Sequence, residues 1–192
     1  MAWALVIVGA LGVAVLVIVC SGMLLPRQHA ATRAVYLAAS PERVWAAVTD
    51  VPSFPSWRDD LRAVEPLPSG DGLPMWLELT SRGVHTLETT EALPPRRLVT
   101  RVADSRPPAV GRWEYDIAPF GGGSRVAITA YGETPNPVAR FVSRFVLGDG
   151  ATVDEYLRAL GMKFGEEVRP VAIDDGSGRR GILRRVPTVS GS

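Results

Sequence analysis

Residues 111–133, which read GRWEYDIAPFGGGSRVAITAYGE, carry the clearest structural pattern of the chain. Trp113, Tyr115 and Ile117 alternate with charged residues, and this period of two is typical of a β-strand with one buried and one solvent-facing side. A glycine-rich turn follows, and a second alternating segment starts at Arg125. The stretch therefore predicts a β-hairpin. A phosphate-binding loop is disfavoured, because the glycines precede neither a Lys-Ser/Thr pair nor a helix.

Segments with the same character lie upstream of this hairpin. Turn residues such as Gly, Pro, Asp and Ser separate them, and most of them alternate between apolar and polar side chains. This pattern predicts an antiparallel sheet with one solvent-facing side. The predicted strands are residues 33–37, 61–67, 75–80, 84–93, 96–103, 112–118 and 125–133.

Two short helices are predicted between the first strand and the second. Ser40, Pro41 and Glu42 form a typical helix start, because serine can cap free N–H groups, proline fits the first turn and a carboxylate favours the positive helix end. A second short helical turn carries Phe54 and Trp57.

A long helix is predicted at the C-terminal end of the domain. Helical phase is kept over residues 136–165 by the apolar positions Val138, Phe141, Phe145, Val153, Tyr156, Leu157, Leu160 and Phe164. Gly148 and Gly150 predict a kink or a short break within this helix. Together with the strands, this order of elements places the domain in the α+β class.

The N-terminus carries a different pattern, an unbroken apolar segment. Residues 2–25 contain no Asp, Glu, Lys or Arg, and a helix of this length reaches across a hydrocarbon core about 30 Å thick. Trp3 fits an interfacial position. Residues 1–26 are therefore predicted to form a transmembrane anchor, and residues 27–32 a juxtamembrane link. A cleaved signal peptide is disfavoured, because no basic residue precedes the core and the core exceeds about 15 residues.

The charges that flank the apolar segment predict its orientation. Arg27 and Arg33 follow it, whereas only the amino group precedes it. Because positive charge stays on the cytoplasmic side, we expect a single-pass membrane protein with a cytoplasmic domain.

Residues 169–192 form a tail rich in Gly, Ser, Pro and Arg, and it is predicted to be disordered. Its arginines, Arg179, Arg180, Arg184 and Arg185, could bind the anionic lipid of a nearby leaflet. An ordinary solvated tail is an equally good interpretation.

Composition excludes several classes of function. The net charge of +1 gives no nucleic-acid signature. The single cysteine, Cys20, lies in the apolar N-terminal segment, so the domain can hold no disulfide, cysteine nucleophile or cysteine metal site. His29 and His85 are the only histidines, which excludes a histidine-rich metal site. No metal and no cofactor are expected.

No catalytic constellation is evident around His85. Glu88 points to the opposite face of the same predicted strand, and Glu91 lies six residues away. Neither is placed to orient the imidazole as a general base. Asp59 and Asp60 lack the spacing of a calcium loop and are interpreted as solvated loop charges.

Five blocks of the sequence, taken with the order of the elements, carry a family likeness, and they are SPERVW (40–45), DVPSFPSW (50–57), GRWEY (111–115), RVAIT (125–129) and YLRAL (156–160). In these features the chain resembles the START-like, or SRPBCC, superfamily, and most closely its polyketide cyclase/dehydrase and lipid-transport branch. The resemblance implies a helix-grip fold for residues 33–168, in which a curved antiparallel sheet grips the long C-terminal helix around an apolar cavity. Catalytic residues differ between branches of the superfamily, so the resemblance assigns none.

The combined features predict a membrane-anchored module that binds a lipid or another hydrophobic small molecule between sheet and helix. His85, Thr100 and Tyr115 are expected to supply its polar contacts. The predicted cavity walls are Leu77, Leu79, His85, Leu87, Leu98, Thr100, Trp113, Tyr115, Ile128, Phe141 and Phe145.

Two other functions stay open at this point. One is a cyclase or dehydratase that acts on a hydrophobic substrate in the same cavity, with His85 or Tyr115 as first candidates for an acid or base. The other is a membrane-proximal scaffold or chaperone for a partner protein. The sequence singles out no particular protein partner.

Overall fold

The computed structural model describes residues 2–25, 28–70, 72–81, 83–103, 111–133, 136–138 and 150–173. The helices of this part are α1 (Ala2–Leu24), α2 (Pro41–Thr49), the short 3-10 helix Val51–Ser56 and α3 (Ala151–Lys163). Its strands are β1 (Gln28–Leu37), β2 (Leu61–Leu67), β3 (Met75–Thr80), β4 (Gly83–Leu93), β5 (Arg97–Val102), β6 (Gly111–Phe120), β7 (Gly123–Glu133) and β8 (Val171–Ala172). All of these strands belong to one curved antiparallel sheet, in the order β2-β3-β4-β5-β6-β7-β1-β8.

The alternation of apolar and polar residues predicted most strands of the sheet correctly. The predicted ends of β2 and β3 match the observed ones, and those of β4 to β7 differ from the observed ends by at most two residues. β1 differs more. It starts at Gln28 instead of residue 33, so most of the predicted juxtamembrane link pairs with β7 as far as Glu133. Part of the predicted tail is also a strand, because Val171 and Ala172 pair with β1. Pairs this short at a sheet edge leave no periodic pattern in the sequence.

The core lies between the inner face of the sheet and the helices α2 and α3. Val153, Leu157 and Leu160 project from α3 at helical spacing and are fully buried. They pack against inward residues of the central strands, among them Val126 and Ile128. Burial of side chains this large contributes about 1.5–3 kcal/mol each, which is why the helix and sheet stay together.

Residues 137–138 are helical and α3 begins at Ala151, while residues 139–149 of the predicted C-terminal helix lie outside the described residues. Gly150 precedes α3 with φ of 98°, in the left-handed region that favours glycine, so the helix is interrupted at one of the two predicted positions. The other predicted kink residue, Gly148, lies outside the described residues. So do Phe141 and Phe145, which were predicted as cavity walls.

Helix α1 covers the apolar N-terminal segment, and its described side chains such as Trp3, Leu11 and Leu16 are exposed. Near its end, Gly22 is buried and lies against the backbone of Pro137. Judged on the residues that the structure describes, no helix is both long enough and apolar enough to cross a membrane.

A glycine at the start of β7 provides a test of the sheet. A Cβ on Gly123 would overlap the carbonyl oxygen of Leu37. We therefore expect Gly123→Ala to lower the free energy of unfolding by about 2–3 kcal/mol, measured by urea denaturation of the full chain. The matched control is Gly70→Ala, because a Cβ there meets nothing within 4 Å and should change stability by less than about 0.5 kcal/mol. Equal effects of the two substitutions would contradict the close approach of β1 and β7.

Candidate functional site

A cavity of about 580 Å³ lies between the inner face of the sheet and α3. Its volume falls in the range of about 300–1,000 Å³ that small-molecule sites occupy. Strands β3 to β7, the loop after the 3-10 helix and the first turns of α3 all contribute to its wall. Among the described residues, the aromatic members of the wall are Phe54, Trp76, Trp113, Tyr115 and Tyr156.

Five of the side chains predicted to form the cavity come together in its wall. They are His85, Leu87, Thr100, Trp113 and Tyr115. The register explains why these residues meet, since Thr100 pairs with Trp113 across β5 and β6 and alternate residues of a strand point to the same face.

The other described residues of the predicted wall lie elsewhere. Leu98 and Ile128 face inward but are buried in the core at 4% and 0% exposure, outside the cavity wall. Leu77 and Leu79 lie on the opposite face of β3, and Leu79 is exposed. The sequence prediction therefore chose the wrong face of β3.

The face of β3 that does line the cavity consists of Trp76, Glu78 and Thr80. Trp76 packs edge-on against Phe54 with ring centroids 6.4 Å apart, which buries a larger apolar surface than a leucine could. Glu78 on the same face is buried because a cation from another part of the chain reaches it. Local alternation could not reveal that cation.

Arg58 is this cation. Its Nη1 donates to Glu78 Oε1 at 2.9 Å, and its Nε and Nη2 donate to the two carboxylate oxygens of Asp60 at 3.2 and 2.8 Å. Trp76 Nε1 also donates to Glu78 Oε1, at 3.1 Å. Asp60, interpreted from sequence as a solvated charge, is therefore half of a bidentate ion pair.

The network keeps Arg58 charged although the residue is largely buried. Burial alone would lower the pKa of its guanidinium, but the hydrogen bonds to Asp60 and the charge of Glu78 outweigh burial and raise the pKa above its usual range. Charge-assisted bonds of this kind are roughly twice as strong as neutral ones. All three charged groups are thus engaged with one another.

Tyr156 projects from α3 into a cluster of aromatic rings. Its ring centroid lies 5.5 Å from that of Trp57, 5.5 Å from that of Trp113 and 5.8 Å from that of Tyr115, in edge-on arrangements. The guanidinium carbon of Arg58 lies 5.3 Å from the same ring centroid. The cluster ties α3 to the sheet and to the charged network at one point.

The two tyrosines of this cluster remain protonated at neutral pH. Burial raises the pKa of Tyr156 to about 12, although the nearby positive charge of Arg58 acts in the opposite direction. Burial likewise raises the pKa of Tyr115 well above its usual range. Both side chains therefore present neutral phenols that can donate a hydrogen bond.

The hydroxyl of Tyr156 is buried and makes no hydrogen bond within the described part of the chain. Native proteins leave few buried polar atoms without a partner, because such an atom costs about 1–3 kcal/mol. Sequence reasoning counted Tyr156 only as an apolar position of the C-terminal helix. Its hydroxyl could have been noted as a polar group on a core-facing helix stripe, whereas Arg58 and Glu78, 20 residues apart, left no local signal.

Removing one carboxylate from the network tests its importance. We expect Glu78→Gln to lower the free energy of unfolding by about 3 kcal/mol, because Arg58 would stay buried with one anionic partner fewer. Glu91→Gln is the matched control. The ion pair of Glu91 with Arg97 leaves 40% and 30% of these side chains exposed, and such pairs contribute at most about 1 kcal/mol. Urea denaturation measures both variants, and a Glu78→Gln loss no larger than that of the control would contradict the network.

Solved structures with the same fold come from several bacteria. A START superfamily protein from Mycobacterium smegmatis superposes with a TM-score of 0.57 at 18% identity, over 70% of this chain and 96% of that one. A protein from Thermobifida fusca superposes with a TM-score of 0.54 at 23% identity, over 71% of this chain and 93% of that one. An aromatase/cyclase from Streptomyces sp. R1128 superposes with a TM-score of 0.56 at 17% identity, also over 71% of this chain and 93% of that one.

Sequence comparison is more specific than these superpositions. No curated protein matches the chain significantly. The family model described as polyketide cyclase/dehydrase and lipid transport matches residues 28–163, from the first residue of β1 to the last of α3. This range includes strands β1 to β7, the helices α2 and α3, and every side chain of the cavity wall named above. The chain therefore belongs to the polyketide cyclase/dehydrase and lipid transport family.

Proposed function

We propose that this chain binds a hydrophobic small molecule in the cavity between the sheet and α3. The observation that carries the proposal is a cavity of about 580 Å³ with an aromatic wall. Concave sites of this size that combine aromatic side chains with placed polar groups are typical of small-molecule sites. His85, Thr100 and Tyr115, predicted from sequence as polar contacts, are all members of this wall.

We propose that the chain binds this molecule without catalysing a reaction on it. A structural neighbour from Streptomyces is named an aromatase/cyclase, and that name describes the neighbour only. In this chain Tyr115 and Tyr156 hold their protons, so neither can serve as a general base. The carboxylates of Asp60 and Glu78 are engaged with Arg58 and are poorly placed to accept a substrate proton.

Filling the cavity should prevent binding. Leu87 lines the cavity on β4, and we expect Leu87→Trp to weaken binding of the neutral dye Prodan at least about tenfold, because the larger side chain takes ligand space. The control is Leu93→Trp on the same strand, where the side chain is exposed. Both variants are titrated by fluorescence as the full chain in the same detergent. Dye that dissolves in the detergent micelles therefore gives the same background signal for both variants. Equal Prodan affinity in both variants would place binding outside the cavity.

We also propose that the chain is anchored in a membrane by its N-terminal helix. Helix α1 carries no charged residue, and large apolar side chains such as Val13 and Leu16 are more than 60% exposed along it. A helix with apolar groups of this size facing outward requires an apolar environment. For the membrane crossing itself, this proposal rests on the sequence, in which residues 2–25 are an uncharged segment of the length that one crossing needs. It does not rest on the helices of the described residues, none of which meets the length and apolarity of a membrane span.

The topology supports a role for this anchor in ligand exchange. β1 begins at Gln28, four residues after α1 ends, and pairs there with the last residue of β7. Gly111 and Gly132 pair at the same end of the sheet and line the cavity. One end of the cavity thus lies where α1 joins the domain, which shortens the path of an apolar ligand between bilayer and cavity.

Charge within α1 should abolish membrane association. We expect the full chain to stay with membranes after alkaline carbonate washing, and the Val13→Arg/Leu16→Arg variant to be released. Each arginine near a bilayer centre costs about 2.5–3.5 kcal/mol. Val13→Leu/Leu16→Val is the control and should behave as the unmodified chain does. Release of the unmodified chain by carbonate would contradict membrane anchoring by α1.

A cytoplasmic location of the domain is part of the same proposal. Arg33 forms an ion pair with Asp154 at 3.1 Å, so the orienting positive charge after α1 rests on Arg27. The tail arginines at positions 179, 180, 184 and 185 lie outside the described residues, and their binding to an anionic leaflet stays a proposal.

A further inference from the structure

We infer that the cavity selects a neutral ligand whose carbonyl oxygen accepts a hydrogen bond from Tyr156, such as an apolar ketone, quinone or ester. Fatty acids and plain hydrocarbons are excluded as preferred ligands. The inference rests on the proposed binding function and specifies the chemistry of the ligand.

The first argument is the state of the Tyr156 hydroxyl. The residue is 5% exposed and lines the cavity, and its hydroxyl donates no hydrogen bond in the described part of the chain, although the hydroxyl of Tyr115 lies close enough to lower its pKa as a donor. A donor in this position gains a partner when a ligand oxygen comes within about 2.7 Å of it. A hydrocarbon ligand would leave the hydroxyl unpaired and would remove it from any solvent, at a cost in affinity.

The second argument is the direction of the bond. The pKa of Tyr156 is raised by burial, so the group stays a phenol and does not become an anionic acceptor. Phenols are better hydrogen-bond donors than acceptors, which favours a carbonyl oxygen on the ligand. Tyr115, whose ring centroid lies 5.8 Å away, presents a second protonated phenol in the same wall.

The third argument is charge. Among the described wall residues, four carboxylates face two guanidiniums. Arg58 is held by Asp60 and Glu78, and Arg101 forms an ion pair with Glu88. The guanidinium of Arg58 is therefore already engaged, and a ligand carboxylate beside it would lie among the carboxylates of Asp60 and Glu78, which opposes binding of a fatty acid.

A matched set of ligands and variants tests the inference. The probes are 2-acetylnaphthalene, which carries a carbonyl acceptor, 2-ethylnaphthalene, which has nearly the same shape without one, and 2-naphthoate, which is anionic. Dissociation constants come from ligand-observed NMR titration of the full chain. The variant is Tyr156→Phe, which removes only the hydroxyl. Tyr36→Phe is the control, because Tyr36 is 52% exposed and is not part of the cavity wall.

The inference predicts a specific pattern of affinities. Tyr156→Phe weakens 2-acetylnaphthalene about fivefold and changes 2-ethylnaphthalene by less than about twofold, as the loss of one hydrogen bond requires. The unmodified chain and Tyr36→Phe bind 2-acetylnaphthalene alike, and both bind 2-naphthoate at least about tenfold more weakly.

The experiment distinguishes failure of this inference from failure of the proposed binding function. Binding of both neutral probes with no change in Tyr156→Phe overturns the inference and leaves the proposed binding function standing, as does tight binding of 2-naphthoate. Absence of binding by all probes to the unmodified chain counts against the binding function itself.

Thermal unfolding gives a readout that needs no ligand. If the Tyr156 hydroxyl has no partner in the protein, Tyr156→Phe keeps the melting temperature of the ligand-free chain unchanged or raises it. A fall of several degrees would show that the hydroxyl is bonded within the protein, and it would overturn the inference.

Discussion

The guanidinium of Arg58 lies between the carboxylates of Asp60 and Glu78, and the layout of the cavity depends on this contact. Without a cation above it, Glu78 could not lie at 6% exposure on the inner face of β3. With it, β3 turns Trp76 and Glu78 toward the cavity and places Leu77 and Leu79 on the other face. The same contact occupies a positive charge that an anionic ligand would otherwise use.

Aromatic packing connects this network to the rest of the fold. Tyr156 contacts Arg58 through its ring face and meets Trp57, Trp113 and Tyr115 edge-on. The residues around it on α3 form the apolar stripe that packs on the sheet. The side chain with the unpaired hydroxyl is therefore held in place by the same packing that stabilises the domain. A polar group positioned so firmly is well suited to orient a ligand.

Periodicity and turn chemistry were sufficient for the fold class, for the central strands and for the start of α2 at Pro41. They failed where a structure depends on partners distant in sequence. The prediction of which side of β3 faces inward was wrong, because that orientation depends on the ion pair of Glu78 with Arg58, which lies 20 residues before it in the chain. β8 and the first half of β1 were missed because their pairing at the sheet edge has no local signature.

The cavity wall was predictable to a similar degree. His85, Leu87, Thr100, Trp113 and Tyr115 could be placed from alternation and the expected grip of sheet on helix. The charged members could not, since a buried ion pair resembles ordinary surface charge when each residue is considered alone. Tyr156 was assigned to the correct helix face, and only its hydroxyl was overlooked.

The central claim is that the chain holds a neutral hydrophobic molecule in this cavity. Native mass spectrometry of the full chain, released from a mild detergent without contact with organic solvent, tests it most directly. The account predicts a mass above that of the bare chain by one neutral organic molecule, which organic extraction removes and a total membrane lipid extract restores. The bare mass alone, unchanged after incubation with that extract, would contradict it.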